Sequence, residues 1–294
     1  MRFGHTSLEF SRVANQIVSG RIPDFSKFNI VDHVKWSLEI EHISVVEISA
    51  EIQYIIPNSL SEAAIKDLVE LKDELGHAYT VHLPLWSIEL ATFNEHIRKG
   101  GVKSIVEMIQ RLEPIEPEVY VLHSTGPLAT EFSQLKYPKP SVDMICMLMS
   151  GFSATSIEEI LNQTEIDPTR IAIENLDFPF DVTRDVVDEY GTGICFDTGH
   201  LLSKQSGDET VHEFYYKHRD KIIELHLHDG RTSQLGERGY VDHKPLGTED
   251  MPVREFLLEL LKDDFKGPII FELTSDEVLA SLRYIQEVVP EALE

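Results

Sequence analysis

With 294 residues, 42% of them hydrophobic and 26% charged, the chain has an ordinary globular composition and a length that a single α/β barrel with insertions can fill, so disorder is excluded and no second core is required. Its 26 basic against 51 acidic side chains leave a formal net charge of -25, which repels polyanions and makes nucleic acid an unlikely partner. Two cysteines, Cys146 and Cys195, fall in neither a CxxC nor a Cys/His spacing, so no disulfide framework is expected and a reducing cytoplasm fits. The opening MRFGHTSLEF lacks the basic and apolar regions of an export signal, and no stretch approaches the roughly 18 consecutive apolar residues of a membrane span.

In chain order, short apolar runs rich in β-branched residues alternate with polar segments and then with stretches of helical spacing. RFGHT (2–6) opens the series, and ISVVEIS (43–49) is followed by the amphipathic SEAAIKDLVELKDEL. AYTVHL (78–83), VYVLHS (119–124), RIAIEN (170–175), GICFDT (193–198) and IIELHLH (222–228) come next. The amphipathic VREFLLELLKDD then leads to PIIFEL (268–273). About eight βα units in succession predict the α/β class and a closed (β/α)8 TIM barrel occupying residues 1–294 as one domain.

Six of these runs carry a carboxylate or histidine at or near the last strand position: His82, His123, Glu174, Asp197, His226 and Glu272. In a parallel barrel those ends surround one opening, so chain-distant residues become one site. Any one of them has an ordinary reading as a hydrogen-bonded rim residue; all six together would bury several like charges, and a bound divalent cation is the simplest neutraliser. Imidazole and carboxylate donors without a thiolate set suit Zn2+, Mn2+ or Fe2+ better than Ca2+ or Mg2+. Cys195, two residues before Asp197, faces the same side one layer deeper and is expected to be core packing.

These residues resemble the xylose isomerase-like TIM barrels, the superfamily that also holds sugar epimerases and endonuclease IV, along nearly the whole chain. The resemblance implies one shared metal held by Glu174, Asp197, His226 and Glu272. The histidines of TVHLP and VLHST resemble the endonuclease IV branch further, implying an additional ion on His82, His123 and a bridging Glu174. A third ion would take His200 of DTGH and His243 of YVDHKPLG, ahead of Gly247; here the chain departs from the pattern, because the expected aspartate falls on Val241, leaving Asp242 or His228 to complete the set. Two or three divalent ions are therefore implied as cofactors, with Glu174, Glu272, His200 and His243 as the expected catalytic residues.

The phrases YTVHLPL, VLHS, IAIENLDFPF, CFDTGHL and ELHLHD are similar to those of the cobamide-remodelling phosphodiesterases. That likeness implies hydrolysis of a phosphodiester in a small-molecule substrate, the nucleotide loop of a cobamide. Trp86, Phe93, Phe178 and Phe180 follow metal-ligand candidates and either offer rings to a bulky substrate or anchor the loops. Arg170 and Lys244 receive no role. The competing expectations are a single-metal sugar isomerase or epimerase using Glu174 and Glu272 as acid and base, an abasic-site endonuclease, and a non-catalytic binding barrel. The oligomeric state is not legible from the sequence.

Overall fold

A computed structural model describes residues 1–18, 22–235, 237 and 239–294. Eight parallel strands close into a barrel: β1 (Phe3–Thr6), β2 (Ile43–Ser49), β3 (Ala78–His82), β4 (Tyr120–Leu122), β5 (Ile171–Glu174), β6 (Gly193–Asp197), β7 (Ile222–His226) and, after a short ribbon of β8 (Asp229–Arg231) and β9 (Val241–Lys244), β10 (Ile269–Phe271). Neighbours follow chain order, with β10 joining β7 to β1. Each of the eight expected runs contains one barrel strand, trimmed by up to two residues at an end.

Strands in a parallel barrel are covered on both faces, which is why these runs read as almost continuously apolar. Every residue of β1, β4, β5, β6 and β10 is buried. The register decides which side chains enter the barrel. Thr6 pairs with Glu47 and Glu47 with Thr80; Ser49 pairs with His82, Glu174 with Cys195, and Asp197 with His226. The inward side chains nearest the mouth are His82, Glu174, Asp197 and His226; two residues earlier along β3, β6 and β7 lie Thr80, Cys195 and Glu224, with Glu47 beside Thr80 on β2. Cys195 is fully buried there, as core packing requires. Lower still, a methyl group on Gly4 would lie 2.4 Å from Ile270 Cδ1 and 2.9 Å from the Val45 carbonyl oxygen, so the interior has room only for glycine.

Helices form the outer layer because their apolar stripes have only the strands to cover them. Glu62–Leu75 buries Ile65, Leu68 and Leu71, is capped by the Ser61 hydroxyl, and stops at Gly76, whose φ of 69° suits glycine. Val253–Lys262 buries Val253, Phe256, Leu257 and Leu260. Helix Lys139–Thr164 reaches a mean hydropathy of 1.3 over 18 residues, long and apolar enough to cross a membrane by composition, although Asp143 and several serines interrupt any continuous run. It packs against helices Glu95–Leu112 and Phe180–Tyr190 through a face that includes Cys146, Met149, Ile157 and Ile160.

Candidate metal centre

Four barrel strands end on a histidine or carboxylate: His82 on β3, Glu174 on β5, Asp197 on β6 and His226 on β7. His123 lies one residue beyond β4 and Glu272 one beyond β10. All six meet at the mouth, with Glu174 at their centre. Its Oε2 is 2.9 Å from His123 Nε2 and 3.3 Å from His82 Nε2, while Oε1 is 3.3 Å from His200 Nδ1 and 3.8 Å from His226 Nδ1. His226 Nδ1 in turn stands 3.2 Å from Glu272 Oε2 and 3.9 Å from Asp197 Oδ2.

The spacing of DTGH has a local cause. Asp197 is the N-cap of the short helix Thr198–Leu202, and its Oδ1 accepts a hydrogen bond from the His200 backbone N–H at 2.7 Å. Capping folds the third helical residue back over the cap, placing the His200 ring beside Glu174. Asn175, the residue after Glu174, clamps the same turn: its Oδ1 accepts from the Asp197 N–H at 2.7 Å and its Nδ2 donates to the Asp197 carbonyl at 2.9 Å.

The histidines are oriented by what their second nitrogen touches. His82 Nδ1 donates to the Leu83 carbonyl at 2.9 Å, turning Nε2 toward Glu174. His200 Nδ1 is 3.0 Å from the Asn175 carbonyl, leaving Nε2 to face Asp242 Oδ2 at 3.9 Å. His228, fully buried, places Nε2 2.8 Å from Asp197 Oδ2.

His243 comes from the ribbon. Its φ of 50° is left-handed, a conformation costing a non-glycine residue about 1–2 kcal/mol. The ring stands 3.4 Å from both Asp242 Oδ1 (through Nδ1) and Glu272 Oε2 (through Nε2). The loop behind it hangs on buried Asp229, whose Oδ2 accepts from the N–H groups of Gly247, Thr248 and Glu249 and whose Oδ1 accepts from those of Gly230 and Met251. Gly247, at φ 82°, makes the turn. Although Val241 occupies the position expected for an aspartate, Asp242 gathers with His200 and His243.

Potential ligand atoms thus fall into overlapping sets, those of each set within 4.8 Å of one another: His82, His123 and Glu174; Glu174, Asp197, His226 and Glu272; His200, Asp242 and His243; and Asp197, His228, His243 and Glu272. A further set, Glu47, Glu224 and His226, lies beneath. The buried His226 Nδ1, His228 Nδ1 and both Glu224 oxygens have no hydrogen-bond partner among the described residues. Orphaned nitrogens and crowded carboxylates with this mixed N/O chemistry fit divalent cations of the zinc, manganese or iron type.

The electrostatics report the same crowding. Burial alone would lower His82, but the hydrogen bond to Glu174, with Glu47 and Glu272 nearby, raises it to about 9. Burial likewise opposes His200, which Asp197 and Glu174 lift to about 9. Burial raises the Asp197 carboxyl to about 6 and, helped by Glu47, Glu224 to about 8. His123 goes the other way, lowered chiefly by burial. Without a cation, the carboxylates recruit protons onto their histidines.

A cavity of about 360 Å³ opens beside His82, His243 and Glu272. No lysine or arginine lines it among the described residues, whereas Glu9, Glu51 and Glu277 do. Trp86, 55% exposed, stacks on Phe10 at its edge with ring centroids 5.4 Å apart. Phe93 is also exposed, but Phe178 and Phe180 are buried, Phe180 against Phe214 and His218; those two anchor their loop and offer no ring face to a substrate. Arg170 binds Glu113 and the Pro117 carbonyl at the opposite end of β5. Glu47, Glu224, Asn175 and Asp229 are structural participants beyond those expected from sequence, whereas His228, one of the two alternatives named for the third set, gathers with Asp197, His243 and Glu272; the polar residues inside ISVVEIS and IIELHLH were the available signal.

Among known proteins, the chain is 28% identical to an uncharacterised protein of Methanocaldococcus jannaschii over 225 residues, 72% of this chain and 70% of that one. It is 24% identical over 275 residues to a probable endonuclease 4 of Sulfurihydrogenibium sp., covering 83% of this chain and 92% of the relative. The crystal structure of a D-tagatose 3-epimerase-like protein superposes over the full length of both chains with a TM-score of 0.69 at 23% identity, a likeness of fold. The model of the xylose isomerase-like TIM barrel matches residues 43–291, and the chain belongs to that family.

Proposed function

We propose that the chain is a divalent-metal-dependent phosphodiester hydrolase whose substrate is a small molecule, the nucleotide loop of a cobamide. The observation that carries this reading is the position of Glu174, one oxygen directed at His82 and His123 and the other at His200 and His226. A single carboxylate shared by two ligand sets is what a multinuclear centre uses. In this reading His82, His123 and Glu174 hold one ion, Glu174, Asp197, His226 and Glu272 a second, and His200, Asp242 and His243 a third. Ions so placed would supply positive charge for the phosphoryl oxygens and a water acidic enough to serve as nucleophile near neutral pH.

The protein's own groups do the rest. Glu174 spaces the two sets. His200, held through Nδ1 by the Asn175 carbonyl, keeps Nε2 turned outward, where with His243 and Asp242 it would hold the third ion and so set positive charge beside the leaving oxygen. The Trp86 and Phe10 pair forms an apolar wall that receives a bulky neutral group.

The experiment is elemental analysis of chelator-free protein with phosphodiesterase assays on a cobamide and on abasic DNA. Two or more zinc, manganese or iron ions per chain, with cobamide cleavage abolished in His123→Ala, support the reading; cleavage of abasic DNA alone replaces it with the endonuclease. A second reading, a single-metal sugar isomerase or epimerase, is favoured by the presence of both Glu174 and Glu272 in the central set, an acid and base pair for an enediolate. It requires one ion per chain and epimerase turnover that persists in His123→Ala.

A further inference from the structure

Below the cluster at the barrel mouth lies a second polar layer that neither a packing role nor the set of ligands above it uses. Glu47 on β2 and Glu224 on β7 are both fully buried, and Thr80 on β3, register partner of Glu47, is buried with its hydroxyl unpaired. Both Glu224 oxygens and Glu47 Oε1 also lack partners among the described residues. A parallel barrel filled with valine and isoleucine at this level would be easier to fold, so the two carboxylates call for a function.

His226 connects the layers. Its Nδ1 faces upward to Glu272, Glu174 and Asp197, whereas its Nε2 faces downward, 3.3 Å from Glu47 Oε2 and 3.8 Å from Glu224 Oε1. An imidazole that offers the Nδ1 lone pair upward carries its hydrogen on Nε2, and the nearest acceptor for that hydrogen is Glu47 Oε2. His82 and His200 reach the same end with a main-chain carbonyl, that of Leu83 and that of Asn175. His226 has instead a carboxylate in that place, a stronger acceptor that makes the ring a better donor of electrons to a cation.

We infer that Glu47 is the positioning residue of the centre: it accepts the Nε2 hydrogen of His226 and so directs Nδ1 at the set formed with Glu174, Asp197 and Glu272. The inference rests on the metal-dependent reading of the site. It makes no use of Glu47 as a ligand, and Glu224 supports the pair from 3.8 Å without replacing it.

The test compares the unchanged protein, Glu47→Gln and Glu224→Gln, each loaded with zinc under chelator competition. Glu47→Gln keeps the shape but weakens the acceptor, and zinc affinity of the central set should fall about 10- to 100-fold, the usual effect of losing such an outer partner. Melting of the metal-free Glu47→Gln protein should fall only modestly, because the amide oxygen still accepts from His226 Nε2, whereas Glu224→Gln should change zinc affinity less than Glu47→Gln. A metal-free protein that melts lower with unchanged zinc affinity would make Glu47 merely structural and overturn the inference; loss of one whole zinc equivalent would make it a ligand and do the same. Nitrogen-15 histidine spectra of the zinc-loaded unchanged protein give an answer even if the variants do not fold: Nε2 of His226 protonated supports it, Nδ1 protonated with zinc on Nε2 overturns it. If the unchanged protein takes up no zinc at all, the metal-dependent reading itself fails; if it binds zinc and Glu47→Gln binds equally well, only this inference fails.

Discussion

Replacing Glu174 by glutamine tests the centre at its hub. The substitution preserves volume, keeps one oxygen and converts the other into an amide that can only donate, so one of the two histidine groups around it meets a donor where it had an acceptor. Three contacts of 2.9–3.3 Å, to His123, His82 and His200, lose their charge. Hydrogen bonds to charged groups contribute about 1.5–3 kcal/mol each, but these three share one carboxylate and are not additive. His82 and His200, both held near 9 in part by Glu174, shed their protons as it disappears, which recovers part of the loss. The balance is about 3 kcal/mol, at the lower end for a broken buried pair, and corresponds to a melting temperature lower by roughly 5–10 °C in metal-free protein. Calorimetry of the apo form reads the first number; elemental analysis after reloading reads the second, a fall to at most one ion per chain. Apo melting within a degree of the parent together with unchanged ion content would refute the placement of Glu174 between two sets.

Two further outcomes follow from groups outside the cluster. His33, His77 and His218 are each lowered to about 4, first of all by burial, so the unfolded chain, with ordinary values near 6.5, binds more protons at these sites between those limits; their contribution to metal-free stability should therefore decline as pH falls from about 6.5 to about 4, by about 1–3 kcal/mol per histidine once screening is allowed for, against an opposite trend from Asp197 and Glu224, whose carboxyls are raised to about 6 and about 8. Urea midpoints at pH 7.5 and 4.5 measure it, and a loss no smaller in His77→Phe would show that His77 has no part in it. Asp229→Asn keeps one oxygen and turns the other into a donor, so two or three of the five backbone N–H groups lose their acceptor, costing about 2–4 kcal/mol, speeding amide exchange across 241–251 and loosening His243, whereas exchange unchanged in that loop would disprove the anchoring role.

The barrel was legible because a strand covered on both faces must be apolar throughout, so that ISVVEIS, GICFDT and PIIFEL could scarcely be anything else once helical segments separated them. The site was legible for a related reason: a histidine or carboxylate at the end of such a run breaks the pattern where the mouth lies. The deeper layer was harder to read. Glu47 and Glu224 sit inside their runs, and only register across a closed barrel shows that they face inward at the level of Cys195 instead of outward toward a helix. Asp242 was legible only as a substitute for Val241, since the left-handed turn at His243 that brings the pair to His200 is a property of the β8–β9 ribbon, which has no apolar run to announce it. Phe178 and Phe180 could not be told from substrate-facing rings before their burial was known.

The chain's acidity has a different meaning at the mouth than over its surface. Several carboxylates there hold loops: Glu51 accepts from the N–H groups of Leu85 and Trp86, and Glu89 from those of Gly126 and Leu128. Glu51 nonetheless adds negative charge to a cavity whose described lining contains no lysine or arginine. Within that cavity an extended polyanion would meet no basic side chain, and its affinity depends on such contacts, although Lys139, Lys204 and Lys217 line a separate, larger cavity beside Asp177, Gln205 and Tyr240. A molecule with one phosphodiester between large, mostly uncharged parts asks for positive charge at one point only, the cluster around Glu174, and for apolar walls such as Phe10 and Trp86 beside it. The charge lining this cavity therefore opposes an extended polyanion there, on grounds independent of the sequence resemblance.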